Sequence, residues 1–244
     1  MTKTSIEVSD VSLAYRLSRD RSGTVKEHLT RMIKGQRGYE ELWALRDISF
    51  TVERGELFAV IGANGAGKST LMKIMARVVA PTDGRVVING AIAPMIRLGA
   101  GFNMEMTGNE NVLLNGVLLG RSAAEMRRRG PAIAEWAELT DFMDVPVRSY
   151  SSGMLARLGF AIAIDTEPDV LIVDEVLAVG DESFQKKCLQ RMDTLLDRGV
   201  TIVLVSHSMD QVRQYAQRAM WLDHGRACHI GTPDEVVAAY RASQ

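Results

Sequence analysis

Residues Gly62 to Ser69 read GANGAGKS: a glycine, four intervening residues, then Gly-Lys-Ser. An apolar strand pattern, LFAVI, precedes this run, and a helical pattern, TLMKIMARVV, follows it. That is the context in which such spacing binds phosphate. The glycines let backbone amides curl around phosphate oxygens, a lysine supplies a point charge for the β and γ phosphates, and a serine hydroxyl suits Mg²⁺. Gly62, Ala63, Asn64, Gly65, Ala66, Gly67, Lys68, Ser69 and Thr70 are therefore the nucleotide-phosphate candidates. Further along, VLIVDE puts Asp174 and Glu175 at the end of an apolar strand, and IVLVSHS puts His207 at the end of another. In open α/β sheets the carboxyl ends of strands face the ligand crevice. There Asp174 can orient Mg²⁺ through water, Glu175 can polarise an attacking water, and His207 can reach a γ-phosphate or serve as a structural polar residue. A second anion-binding pattern stands apart from these. YSSGM, Tyr150 to Met154, opens a mostly apolar helical run, LARLGFAIAI, and unpaired amides at a helix start favour an anion, although no lysine stands beside them.

These groups need elements to hold them. IEVSDVSLAY, LRDISFTV, ELFAVIG, GRVVING and AIAPMI alternate as strands do, whereas DVLIVDE and VTIVLVSHS are short apolar runs suited to parallel strands buried on both faces. RAMWLDHGRACHIG reads as a hairpin turning at His224 and Gly225. Between Thr107 and Glu167 the period becomes helical. Thr107 with Glu110, and Ser122 with Glu125, each have capping-box spacing, and a last helix starts at TPDEVV with Thr232, Pro233 and Glu235. The expected architecture is a single α/β domain over 1–244, with a core of 1–103 and 168–244 and a helical subdomain at 104–167. Residues 16–40 form a basic insert with seven Lys or Arg against three acids. Within it Val25, Leu29, Met32 and Ile33 share one face of a helix near 24–34, which is expected to lie on the core or at a membrane surface.

Composition narrows the function. The formal net charge is -1 in 244 residues, so no global basic field for nucleic acid exists. Cys188 and Cys228 have no metal-type spacing and read as reduced thiols. No apolar run approaches the ~18 residues of a membrane span, and the N-terminus lacks a signal-peptide core.

The order phosphate loop, helical insert, YSSGM, VLIVDE, VSHS resembles the nucleotide-binding domain of ATP-binding cassette (ABC) transporters over nearly the whole chain. The resemblance implies a P-loop NTPase fold with a mixed sheet, an antiparallel β subdomain and an inserted helical subdomain. It implies ATP and Mg²⁺, with Lys68, Glu175 and His207 in catalysis and Ser69 and Asp174 at the metal. It also implies a head-to-tail homodimer in which Ser151, Ser152, Gly153 and Met154, standing where the family usually writes LSGGQ, serve ATP held by the other copy. That would account for two phosphate-like sites in one domain. Ala178 to Asp181, AVGD, match the loop after the acidic pair. The family's loop glutamine is missing here, and Asn103 is the nearest substitute for Mg²⁺ or water. Tyr15 is the candidate for stacking on adenine, with Trp43 as the alternative.

WALRDISF, RLGAGFNMEMTGNENV, YSSGMLARLGFAIA, DEVLAVGDESFQKKC and VSHSMDQV are similar to ATPases that export O-antigen, capsule and teichoic-acid-type polymers, a group whose members tend to carry an insert before WAL. This implies an ATPase at the cytoplasmic face of the bacterial inner membrane, with transmembrane permease subunits and a lipid-linked polysaccharide as partners and no nucleic acid. No dedicated glycan-binding domain is expected after the last helix. The competing expectations are a soluble ABC-type ATPase in nucleic-acid repair or translation and a small-molecule kinase. The latter would leave YSSGM unexplained.

Overall fold

The computed structural model describes residues 4–18, 39–95, 101–174 and 181–243. Glu175, Ala178 to Gly180 and the expected helix at 24–34 lie outside the described residues.

Two long strands, β1 (Thr4–Ser18) and β2 (Tyr39–Glu53), pair antiparallel, and β4 (Asp83–Ile88) adds to the other edge of β1, giving the order β2-β1-β4. Residues 16–18 and 39–40, expected to belong to the insert, are instead strand, because the β1–β2 ladder runs on to the pair Ser18 and Tyr39. Along β1 the buried apolar positions are Ile6, Val8, Val11 and Leu13, so the strict alternation slips by one residue. A register shift between Val8 and Val11, with Asp10 at φ 50°, absorbs that slip and returns the apolar side chains to one face.

The second sheet has the order β5-β6-β7-β3-β8-β9, where β3 is Leu57–Ile61, β5 Ile92–Met95, β6 Val170–Asp174, β7 Thr201–Val205, β8 Arg218–Asp223 and β9 Arg226–Gly231. β5, β6, β7, β3 and β8 run parallel and β9 antiparallel. Every residue of β3 and β7 is buried, as expected for strands covered on both faces. The antiparallel sheet, the six-stranded sheet and helix α1 (Lys68–Met75) share a core in which Phe50 and Phe58 stack with ring centroids 5.1 Å apart. α1 stops at Met75, short of the expected TLMKIMARVV, because Arg77 takes φ 60° and its N–H turns back to the Ile74 carbonyl at 2.9 Å.

The helical insert comprises α2 (Gly108–Leu118), α3 (Ala123–Ala137) and α4 (Ser152–Asp165), with its own cluster of Val112, Met126, Ile133, Met143, Leu158 and Ile162. Thr107 and Glu110 form the full reciprocal capping box, while at Ser122 the hydroxyl accepts from the Glu125 N–H at 3.2 Å. The chain returns to the core through α5 (Glu182–Asp197), α6 (Met209–Tyr215) and α7 (Pro233–Ala242), whose N-terminus is closed by Thr232 and Glu235. Among the described residues no helix is long and apolar enough to cross a membrane.

Candidate active site

Strand register decides which polar residues meet. β7 lies between β6 and β3, with Asp174 opposite Val205 and Val60 opposite the same Val205, and Ile61 pairs with Trp221 of β8. The carboxyl ends of β6, β7, β3 and β8 therefore sit side by side, and the segments that leave them surround one cleft of about 670 Å³. Its lining includes Asn64, Gly65, Gly67, Lys68, Ser69 and Thr70 from the loop and α1, Asp174 at the end of β6, and His207 after β7. Tyr15 from β1 and Trp43 from β2 line it from the antiparallel sheet, so both aromatic candidates reach it. The ladder places them next to each other, Ala14 opposite Trp43 and Tyr15 opposite Leu42.

The loop is shaped by close backbone approach. A Cβ on Gly62 would stand 2.1 Å from the Leu222 carbonyl oxygen, and one on Gly67, at φ 109°, 2.8 Å from that of Ala44. Only glycine lets the chain pass β8 and β2 that closely and still turn into α1. Gly67 contributes no side-chain cap, so the amides of the first turn open onto the loop, as an anion site requires. Lys68 is buried, and its Nζ donates to the carbonyls of Gly62 at 2.7 Å and Ala63 at 2.9 Å, which folds the side chain over the cradle. Ser69 and Asp174 line the same cleft and offer hydroxyl and carboxylate oxygens, the donor set that Mg²⁺ takes beside phosphates.

The β8–β9 turn contributes residues that the sequence did not assign to the site. His224, in the β8–β9 turn at φ 42°, lines the cleft together with Gly225. The Gly225 N–H donates to the Ala66 carbonyl at 2.9 Å, and its carbonyl accepts from the Arg46 N–H at 2.7 Å, so the hairpin tip braces the phosphate loop against β2. The His-Gly turn was visible in the sequence; its approach to the loop was not.

Two groups of expected residues lie elsewhere. Asn103 is exposed and is not among the residues lining the cleft. Its Oδ1 accepts from the Glu105 N–H at 3.1 Å, and its backbone is gripped by the fully buried Asn111, which accepts from the Asn103 N–H at 2.8 Å and donates to its carbonyl at 3.0 Å. The side chain thus serves the turn that enters α2. Ser151, Ser152, Gly153 and Met154 also lie outside the cleft lining. Tyr150 anchors this segment: its ring is buried and its hydroxyl donates to the Phe142 carbonyl at 2.7 Å. Burial, then the charge of Asp144, pushes the phenol pKa up. Ser151 caps α4 by accepting the Met154 N–H at 3.2 Å, and Ser151 and Ser152 are exposed. A helix start presented to solvent beside a fixed tyrosine suits an anion carried by another molecule.

Asp181 caps α5. Its Oδ1 accepts the Ser183 hydroxyl at 2.6 Å and the Phe184 N–H at 2.9 Å, and its Oδ2 meets Arg157 Nη2 at 2.8 Å. These contacts, the Ser183 hydroxyl first, hold the exposed carboxyl down to about 2.

The ABC transporter family domain matches residues 45–178. An O-antigen export system ATP-binding protein, RfbB, of Klebsiella pneumoniae is 44% identical over 97% of this chain and 97% of its own length. The protein of that name from Myxococcus xanthus is 44% identical over 94% of this chain, which spans 53% of that relative. A teichoic acids export ATP-binding protein, TagH, of Listeria monocytogenes is 40% identical over 96% of this chain and 69% of its own. Among solved structures, the ATP binding subunit of an ABC transporter superposes with a TM-score of 0.76 at 26% identity, covering 97% of this chain and 93% of that one.

Proposed function

The chain belongs to the ABC transporter family, and we propose that it is the ATP-hydrolysing subunit of an exporter that drives a lipid-linked surface polysaccharide, of O-antigen, capsule or teichoic-acid type, across the bacterial inner membrane. The observation that carries the polymer assignment is the end-to-end match, 97% of both chains, to an O-antigen export ATP-binding protein.

In this reading ATP enters the cleft with its base against Tyr15 or Trp43 and its phosphates on the Gly62–Thr70 cradle. Lys68 shifts its hydrogen bonds from the Gly62 and Ala63 carbonyls to the β and γ phosphate oxygens. Ser69 and Asp174 would hold Mg²⁺, which offsets phosphate charge when bound. Glu175, next along the chain after Asp174, polarises the attacking water, and His207 steadies the γ-phosphate from the end of β7. The remaining donors come from a second copy, whose Ser151, Ser152 and Gly153 meet the γ-phosphate with hydroxyls, amides and a helix N-terminus. ATP thereby closes a homodimer, and hydrolysis reopens it.

The exposed apolar side chains Met104, Phe142 and Val145 on the helical insert support docking to a membrane-spanning permease at the cytoplasmic face. The test is affinity capture of the tagged full-length chain from native membranes, paired with surface-polymer staining of cells carrying Lys68→Ala. The expected result is co-recovery of a polytopic permease and loss of surface polymer. Capture without any membrane partner, or normal polymer in the variant cells, would refute the assignment.

A further inference from the structure

The tip of the β8–β9 hairpin carries a side chain that the turn itself does not need. Asp223 pairs with Arg226, so the turn has two central residues, His224 at φ 42° and Gly225 at φ 76°. Both values are positive, as in a type I′ hairpin turn, whose first central position suits asparagine, aspartate or glycine best. Turn chemistry alone therefore favours asparagine over histidine at 224. The imidazole placed there is 96% exposed and lines the nucleotide cleft. Asp223 Oδ1 stands 4.0 Å from its Nε2, beyond hydrogen-bond reach.

The contacts of Gly225 fix where this ring is presented. The Gly225 N–H donates to the Ala66 carbonyl at 2.9 Å, and its carbonyl accepts from the Arg46 N–H at 2.7 Å. A Cβ on Gly225 would stand 2.6 Å from the Ala44 carbonyl oxygen, the same atom that a Cβ on Gly67 would approach to 2.8 Å. The tip is thus wedged between the phosphate loop at 66–67 and β2 at 44–46. Trp43 is the residue before Ala44, and Tyr15 lies opposite Leu42. His224 accordingly stands between the aromatic wall of the cleft and its phosphate cradle. A nucleotide with its base on that wall and its β and γ phosphates at Lys68 bridges the same gap with its ribose and α-phosphate. Both present oxygen acceptors, and an imidazole carries an N–H donor in its neutral and its protonated form alike.

We propose that His224 is a nucleotide-binding residue, donating a hydrogen bond to an oxygen between the base and the β-phosphate of ATP held by the same copy. This rests on reading ATP into the cleft at Gly62–Thr70. ADP and ATP share that stretch, so removing the ring must weaken both by the same factor.

The test titrates the full chain calorimetrically with ADP and with a non-hydrolysable ATP analogue, Mg²⁺ present. His224→Asn keeps the turn in its favoured chemistry and withdraws the ring, and His224→Gly removes the side chain altogether. Each should raise Kd roughly three- to tenfold, the range of a solvent-exposed hydrogen bond, equally for both nucleotides. The melting temperature of the nucleotide-free protein should hold or rise. Gly225→Ala reads the brace separately, since its Cβ collides with the Ala44 carbonyl and should lower the melting temperature. Titration with 2′-deoxy-ADP and 3′-deoxy-ADP then separates the acceptors. If His224→Gly and the wild type bind one of them equally well, the missing hydroxyl is the acceptor; if the difference persists with both, it is the α-phosphate. A loss confined to the ATP analogue would put the ring at the γ-phosphate and overturn the proposal. So would a fall in melting temperature in His224→Asn and His224→Gly like that of Gly225→Ala, which would make His224 part of the brace. Unchanged Kd in both variants overturns the His224 contact and leaves the ATP site standing. A wild-type chain that binds neither nucleotide overturns the reading of the cleft and the contact with it.

Discussion

Replacing Lys68 with methionine keeps the buried stem and removes the ammonium. In the free protein the contacts of Nζ include hydrogen bonds to the Gly62 and Ala63 carbonyls at 2.7 and 2.9 Å. Binding phosphate exchanges these two neutral acceptors for charged ones, so the affinity lost through them is the difference between the two sets and not their sum. A hydrogen bond to a charged group contributes about 1.5–3 kcal/mol against about 1 kcal/mol for a neutral one. With two bonds exchanged, the difference amounts to about 1–4 kcal/mol, or roughly 5- to 1000-fold in Kd. The methionine also leaves two carbonyls without this donor, while it relieves the burial of a charge. Those effects oppose each other, and the melting temperature of the nucleotide-free protein should move little. Titration with a fluorescent ATP analogue reads the affinity, thermal shift with and without ATP reads the linkage, and phosphate release reads turnover, which should fall below detection. An unchanged Kd with normal turnover would refute the reasoning. A variant unfolded before ATP is added would show instead that the lysine's main role is to hold the loop.

Glu175→Gln should slow hydrolysis by ~10²-fold or more while ATP still binds. The ATP-closed dimer should then accumulate on size exclusion, and a monomer peak with ATP present would count against a general base there. Ser152→Arg places a long cation at an exposed helix start, so it should abolish hydrolysis by crowding the partner's γ-phosphate while each chain still binds ATP in its own cleft. Loss of ATP binding in the Ser152→Arg monomer would contradict the trans role. Of Tyr15→Ala and Trp43→Ala, the one that removes the adenine stack should weaken ATP binding by roughly 5- to 100-fold, the range that base–aromatic stacking spans. Equal, negligible effects from both would mean that neither ring holds the base.

The phosphate loop and the buried strands were legible because their signals are local. Gly62 to Thr70 lie within nine consecutive positions, and an all-apolar strand such as LFAVI declares burial on both faces through its own composition. Asp174 and His207 were legible one step further, since parallel strands in an α/β sheet deliver their carboxyl ends to one edge whatever the detail. Asn103 shows where that logic stops. Its place in the chain suggested a metal or water contact, but a buried asparagine eight residues on, Asn111, commits the backbone to a turn into α2. Neither the burial of Asn111 nor its direction leaves a trace in spacing.

What the sequence by itself determined about this protein is the set of candidate groups: a glycine-rich loop with Lys68, an acidic strand end, a histidine and a second helix N-terminus, each encoded in a few adjacent residues. What only the tertiary structure decided is which of them meet. The ladder of β1 on β2 carries both Tyr15 and Trp43 to the cleft, the hairpin tip at His224 and Gly225 closes on Ala66, and Arg157 bridges Glu138 and Asp181 across the insert. The physical reason is that hydrogen bonds and ion pairs act over about 3 Å. Residues far apart in the chain come within that reach only when strand register and helix packing have set their positions.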